Sequence, residues 1–193
     1  FNRSPSDVTG SRLVKYGIAP VIKQAFEEVY KAPFIVRILV AELGQKQEKD
    51  ALLTINYDGT FEEMTGHAVL AATTAIQAKM LAYIREQQPA TLSLELALGL
   101  ALRAWAIGSL AQQQDEADQQ AEAKPAASGA GSSAAITPSS DALIAHVRGI
   151  AGERTIECAV LERQAPGSSK YRTLKQTDLS HLLPAALQSV VAN

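Results

Sequence analysis

A single cysteine, Cys158, stands in 193 residues. One thiol excludes an internal disulfide framework and predicts a reducing, cytoplasmic setting. An excess of basic side chains is missing too, since 18 Lys and Arg face 20 Asp and Glu for a formal net charge of −2. Nucleic acid is thereby excluded as the main partner, because neutralising phosphates needs a basic surface. No secretory leader is evident, and the chain opens Phe1-Asn2-Arg3 rather than on methionine. That opening predicts a processed chain or a part of a longer product.

Chemical signatures are equally scarce. His67, His146 and His181 lie far apart in no ligand spacing, and neither HExxH nor CxxC occurs. No metal and no cofactor is expected on this basis. GxxxxGK[ST], GxGxxG and GxSxG are absent as well, so there is neither a phosphate cradle nor a nucleophile elbow. One long apolar run, LSLELALGLALRAWAIGSL at 92–110, has the length of a membrane span, but Glu95 and Arg103 lie inside it. Each charge costs about 2.5–3.5 kcal/mol at a bilayer centre. A buried helix is the better reading, and no membrane partner is expected.

What the chain does have is alternation of helical and strand patterns. Residues 9–30 read as a helix on Leu13, Tyr16, Ala25 and Val29, with Thr9 or Ser11 as its cap. Pro20 predicts a kink or a restart within it. FIVRILVAEL at 34–43 is apolar on both alternating faces, so it predicts a strand covered on both sides in a layered architecture. LLTINYDGTFEEMTG at 52–66 reads as a hairpin, because Asp58-Gly59 suits the primed turns, whose centre needs positive φ. HAVLAA at 67–72 predicts a further short strand. Thr73 caps a helix to about Gln87, and a second, buried helix starts near Thr91 with Leu94, Leu98, Leu102 and Trp105 along a stripe. Residues 111–140 are rich in Gln, Ala, Ser and Gly. Their first third extends the helix, and the rest predicts a flexible, solvated insertion. TIECAVLER (155–163) and KYRTLK (170–175) form a second hairpin through APGSS, and Thr177 caps a short terminal helix that Pro184 interrupts.

Three places invite a catalytic reading, and each has a plainer one. Cys158 lies on the alternating face of a strand, where a small buried thiol is ordinary. Glu62 and Glu63 are successive strand residues pointing to opposite faces, so they cannot share a proton. Thr73-Thr74 is explained by capping. This inventory predicts assembly or binding in place of catalysis.

Several strings, in order, resemble the proteasome α-type subunit, particularly the actinobacterial kind: DVTGSRL (7–13), FIVRILVAELG (34–44), LLTINYDGTFEEMTGHAVLAATT (52–74), TLSLELALGLALRA (91–104) and ECAVLERQAPGSSKYRTLKQTDLSHLL (157–183). The resemblance covers nearly all of the chain except 111–155. It implies an α+β fold, the αββα four-layer sandwich of the N-terminal nucleophile hydrolases, of which residues 1–193 supply the C-terminal half as a single subunit-like domain. The hairpin at Asp58-Gly59 becomes a scaffold ribbon. By the same resemblance the chain is a non-catalytic subunit of the outer ring that gates substrate entry to a threonine-type endopeptidase complex. Implied partners are copies of itself in a homo-oligomeric ring, proteasome β subunits, a regulatory ATPase and unfolded protein substrates.

Asp7, Val8, Thr9 and Gly10, with the helix after them, would face the β ring, although Asp7 and Thr9 read equally well as a helix cap and its neighbour. The family's gating tail, and the lysine that receives the tails of regulatory ATPases, fall outside the matching strings. A catalytic β-type subunit needs a mature N-terminal threonine; residue 1 is phenylalanine, and the amine of Thr9 is locked in a peptide bond. Two other readings stay open. One is a threonine peptidase with its nucleophile on upstream sequence, and the other is a small α+β binding or adaptor domain.

Overall fold

The computed structural model describes residues 8–30, 32–89, 92–122, 138–151 and 154–191. Packing divides the chain into two compact units, Phe1–Leu70 and Ala71–Asn193, which are taken in turn. Asp7 lies outside the described residues.

In the first unit Thr9 sits in extended backbone and its hydroxyl accepts the Arg12 N–H at 3.3 Å. Helix α1 (Gly10–Leu13) runs into a π-helical turn, Val14–Ile18, and then into α2 (Ala19–Glu27). The restart expected at Pro20 is thus a π turn just before it. There the Ala19 N–H reaches back five residues to the Val14 carbonyl. A wider turn admits the Pro20 ring, which in a tight α-helix would clash with the carbonyl four residues back. The same bulge puts Val14 and Ala19 on one face with Ile22, and all three are buried against Leu53 and Ile55.

Strands β1 (Ile38–Glu42), β2 (Ala51–Ile55) and β3 (Phe61–Met64) form an antiparallel sheet with β2 in the centre. Ile38 pairs with Ile55 and Val40 with Leu53, while Leu39 pairs with Thr54 and Ala41 with Leu52. The first set faces α1 and α2. The second set, with Met64 opposite Leu52, lies on the other face. Leu39 is 41% exposed and Ala41 is exposed as well.

Two expectations are corrected here. The strand read over 34–43 begins only at Ile38, because the Val36 N–H bonds the Phe34 carbonyl at 2.9 Å and folds the chain short of the ladder. Nor is it covered on both sides within this unit. β1 is an edge strand with one helical layer on its inner face, and among the described residues Leu39 and Ala41 on its outer face stay exposed, although Thr54 beside Leu39 on β2 is buried.

The turn at Asp58-Gly59 also differs from the primed type. Gly59 alone is at positive φ (80°), and Asp58 is not. The Gly59 N–H bonds the Asn56 carbonyl at 3.0 Å, and the Asn56 N–H bonds the Thr60 carbonyl at 2.8 Å. These bonds close a three-residue loop with glycine at the left-handed position. This loop tip packs against α2. A Cβ at Gly59 would stand 2.7 Å from the Ala19 carbonyl and 2.8 Å from the Lys23 nitrogen, and Tyr57 meets Phe26 with ring centroids 5.7 Å apart. HAVLAA is a further correction: 67–72 carries no strand. An extended segment becomes a strand only where a neighbour completes its hydrogen bonds, and the sheet ends at β3.

In the second unit Thr73 caps α3 (Thr74–Glu86) as expected, accepting the Ile76 N–H at 3.2 Å. Ile76, Met80, Leu81 and Ile84 are its buried residues. Helix α4 (Leu94–Glu122) opens with the Ser93 hydroxyl accepting the Leu96 N–H at 3.4 Å; Thr91, the expected start, lies outside the described residues. Along the expected stripe Leu98 and Leu102 are buried, whereas Leu94 and Trp105 are 38% and 37% exposed. Gly108 lets α3 approach closely, since a Cβ there would lie 2.6 Å from the Met80 sulfur. By length and composition alone α4 suffices to cross a membrane.

Residues 111–122 continue α4, so the first third of the expected insertion is helical; 123–137 lie outside the described residues. Helix α5 (Ser140–Ala151) follows and was not anticipated. The Ser139 hydroxyl accepts the Ala142 N–H at 3.2 Å, and Leu143, Ile144 and Val147 are buried. They join Leu98, Leu102 and Ala106 of α4 in one core with Leu174, Leu179, Leu183 and Leu187.

Strands β4 (Ala159–Leu161) and β5 (Tyr171–Thr173) form the expected second hairpin, and the Arg172 Nε reaches Glu162 Oε2 across it at 3.1 Å. Helix α6 (Gln176–Leu182) starts two residues earlier than Thr177 would allow as a cap. Asp178 instead accepts the Lys175 N–H at 3.2 Å. Pro184 separates α6 from α7 (Ala185–Val191) as expected, and the Arg148 Nε ties α5 to α7 through the Ala186 carbonyl at 2.8 Å.

Gly59→Ala tests the seam between the hairpin and α2. Left-handed backbone and contact with two backbone atoms both oppose a methyl group. The substitution is expected to lower the unfolding free energy by about 1–3 kcal/mol in urea titration. A midpoint unchanged from the parent would show that the loop tip does not bear on α2.

Candidate functional site

The candidate contact residues open the first unit. Val8 is 54% exposed, Thr9 is exposed and serves as the helix cap, and Gly10 is half-buried. The Gly10 N–H donates to Glu42 Oε2 at 2.9 Å. A carboxylate at the end of the inner face of β1 therefore holds the start of α1, favoured by the positive end of the helix. The sequence carried a signal for this: Glu42 continues the inward series Ile38, Val40, and a charge on an apolar face demands a partner. The plain capping reading of Thr9 is what the geometry shows. Among the described residues at this end, Val8 keeps an exposed apolar side chain.

The residues with chemical potential do not converge. Glu62 lies opposite Thr54 and Glu63 opposite Leu53, on the two faces of β3, and both are exposed. Thr73 caps α3. His67 is in the coil after β3, and His181 is exposed on α6. Among the described residues no three His, Cys, Asp or Glu side chains form a group able to hold a metal ion.

One pairing was not legible beforehand. His146 of α5 lies with Nε2 3.0 Å from the Ser109 hydroxyl of α4, and its ring stacks on Trp105 at 6.3 Å between centroids and 30° between planes. Trp105 and Ser109 are four residues apart on one helix face, but their partner stands on α5, far along the chain. The spacing is that of a nucleophile and its base. Ser109, however, is in the middle of an uninterrupted helix. The backbone N–H groups around it are committed to the helical ladder and supply no oxyanion donors. The pair is a polar contact that closes α5 onto α4.

Cys158 precedes β4, half-buried against the second unit's core. Burial pushes its thiol up, and the Arg172 charge only partly opposes this. Asp58 behaves in the other sense. Thr60 donates its hydroxyl at 2.6 Å and its N–H at 2.9 Å to Asp58 Oδ1. These bonds, helped by the Arg37 charge, hold the carboxyl below the usual carboxylate value of 3.8. Arg37 is itself placed by Nε donation to Asn56 Oδ1 at 2.9 Å. All of these contacts hold the hairpin in shape.

What the described residues define is an α+β chain in which the polar contacts given above hold the scaffold. Its sequence is similar to the proteasome subunit alpha of Actinosynnema mirum, 30% identical over 183 residues that cover 95% of this chain and 56% of that protein. It is likewise similar to the proteasome subunit alpha of Saccharomonospora viridis, 28% identical over 169 residues that cover 86% of this chain and 51% of that protein. The chain is a homologue of actinobacterial proteasome α subunits. It spans about half the length of the curated relatives it matches. That homology implies an α+β fold of the N-terminal nucleophile hydrolase type, and the observed mixture of helices and antiparallel sheets agrees. No family model matches the sequence, and no solved structure matches the chain.

Two measurements probe these groups. Because the Cys158 thiol is raised, its thiolate fraction at neutral pH is smaller than in a free peptide. Alkylation by iodoacetamide is expected to be several-fold slower than for a cysteine-containing peptide, and an equal or faster rate would contradict this. For Asp58 the sign is fixed by its lowered folded value. Its contribution to stability is present above the ordinary carboxylate value of 3.8 and disappears as pH falls through the folded one. Thr60→Val removes the principal donor, so the fall of the urea midpoint below about pH 4 is expected to be shallower than in the parent. Superimposable pH profiles would rule the contribution out.

Proposed function

We propose that the chain serves as a non-catalytic α-type subunit of a 20S-type proteasome core, in the outer ring that gates entry of proteins for degradation. The observation that carries this reading is similarity to proteasome subunit alpha along 95% of the chain. The scaffold character of the polar contacts supports it. Thr9, the threonine nearest the start, spends its hydroxyl on a helix cap, and Ser109 and His146 lack oxyanion donors. In this reading the chain's partners are copies of itself, proteasome β subunits, a regulatory ATPase and unfolded protein substrates, within the cytoplasm.

The outer face of the first sheet supports the finer fold reading. Leu39, Ala41, Leu52 and Met64 occupy the side away from α1 and α2. Leu39 and Ala41 stay exposed there, and exposed apolar residues on a sheet face suit stacking on a second sheet, as the four-layer αββα sandwich requires. Asp7, Val8, Thr9 and Gly10 would lie toward the β ring, with exposed Val8 as the apolar contact.

Co-expression with an actinobacterial proteasome β subunit, followed by size-exclusion chromatography and native mass spectrometry, tests this directly. The expected product is a ring-shaped complex containing both chains. Val8→Glu, which would bury an unpaired charge at the contact, is expected to weaken that association by about tenfold or more while the far-ultraviolet circular dichroism stays unchanged. Recovery of this chain only as a monomer, alone and with the β partner, would overturn the proposal in favour of an adaptor domain.

A further inference from the structure

We draw no further inference here: the strongest candidate, the open apolar face of the β1–β2–β3 sheet around Leu39, Ala41 and Met64, already serves the stacked-sheet reading above, and nothing in the structure shows what else covers it.

Discussion

The first unit depends on one seam, where Val14, Ala19 and Ile22 lie against Leu53 and Ile55. Fully burying side chains of this kind is worth roughly 1.5–3 kcal/mol each for Val, Leu and Ile, and nothing else among the unit's described residues is buried as completely. Three local devices keep the seam in register. The π turn brings Val14 and Ala19 to one side although they are five residues apart. Glu42 holds the start of α1 to the end of β1, and the Gly59 loop presses on α2 from the other end of the sheet. Each acts on backbone geometry, and together they fix which residues of the helix meet which residues of the strand.

The second unit is organised differently. Its core is a helical assembly in which α4 is shared: α3 packs along it through the Gly108 approach, while α5 joins its other residues in the larger core cluster. The β4–β5 hairpin and the last two helices complete that cluster through Leu174, Leu179, Leu183 and Leu187. Polar contacts supplement this packing at the joints between helices, as with Ser109 and His146 or Arg148 and Ala186. Buried apolar surface dominates, and the net worth of each such hydrogen bond is only about 0.5–1.5 kcal/mol.

How far the sequence revealed this follows from whether each signal was local. The caps at Thr9 and Thr73, both hairpins and the interruption at Pro184 were legible because one or two residues decide them. The start of β1 at Ile38 and the absence of a strand over 67–72 were not, because strand formation depends on a neighbouring strand, which no single stretch announces. Helix α5 had a readable pattern in Leu143, Ile144 and Val147, but it was masked by the low-complexity run before it. The family resemblance came from ordered strings, and curated relatives bear it out. The contact between Gly10 and Glu42 illustrates the middle case: both residues were visible, yet only the fold paired them.

Gly108 has a chemical corollary. The Met80 sulfur, 7% exposed as a residue, sits where even a methyl group on the facing helix would collide with it. Conversion to the sulfoxide adds a polar oxygen to an already crowded apolar contact. The packing of α3 on α4 is therefore sensitive to the redox state of this thioether, and reductive repair of that single atom would restore the fit.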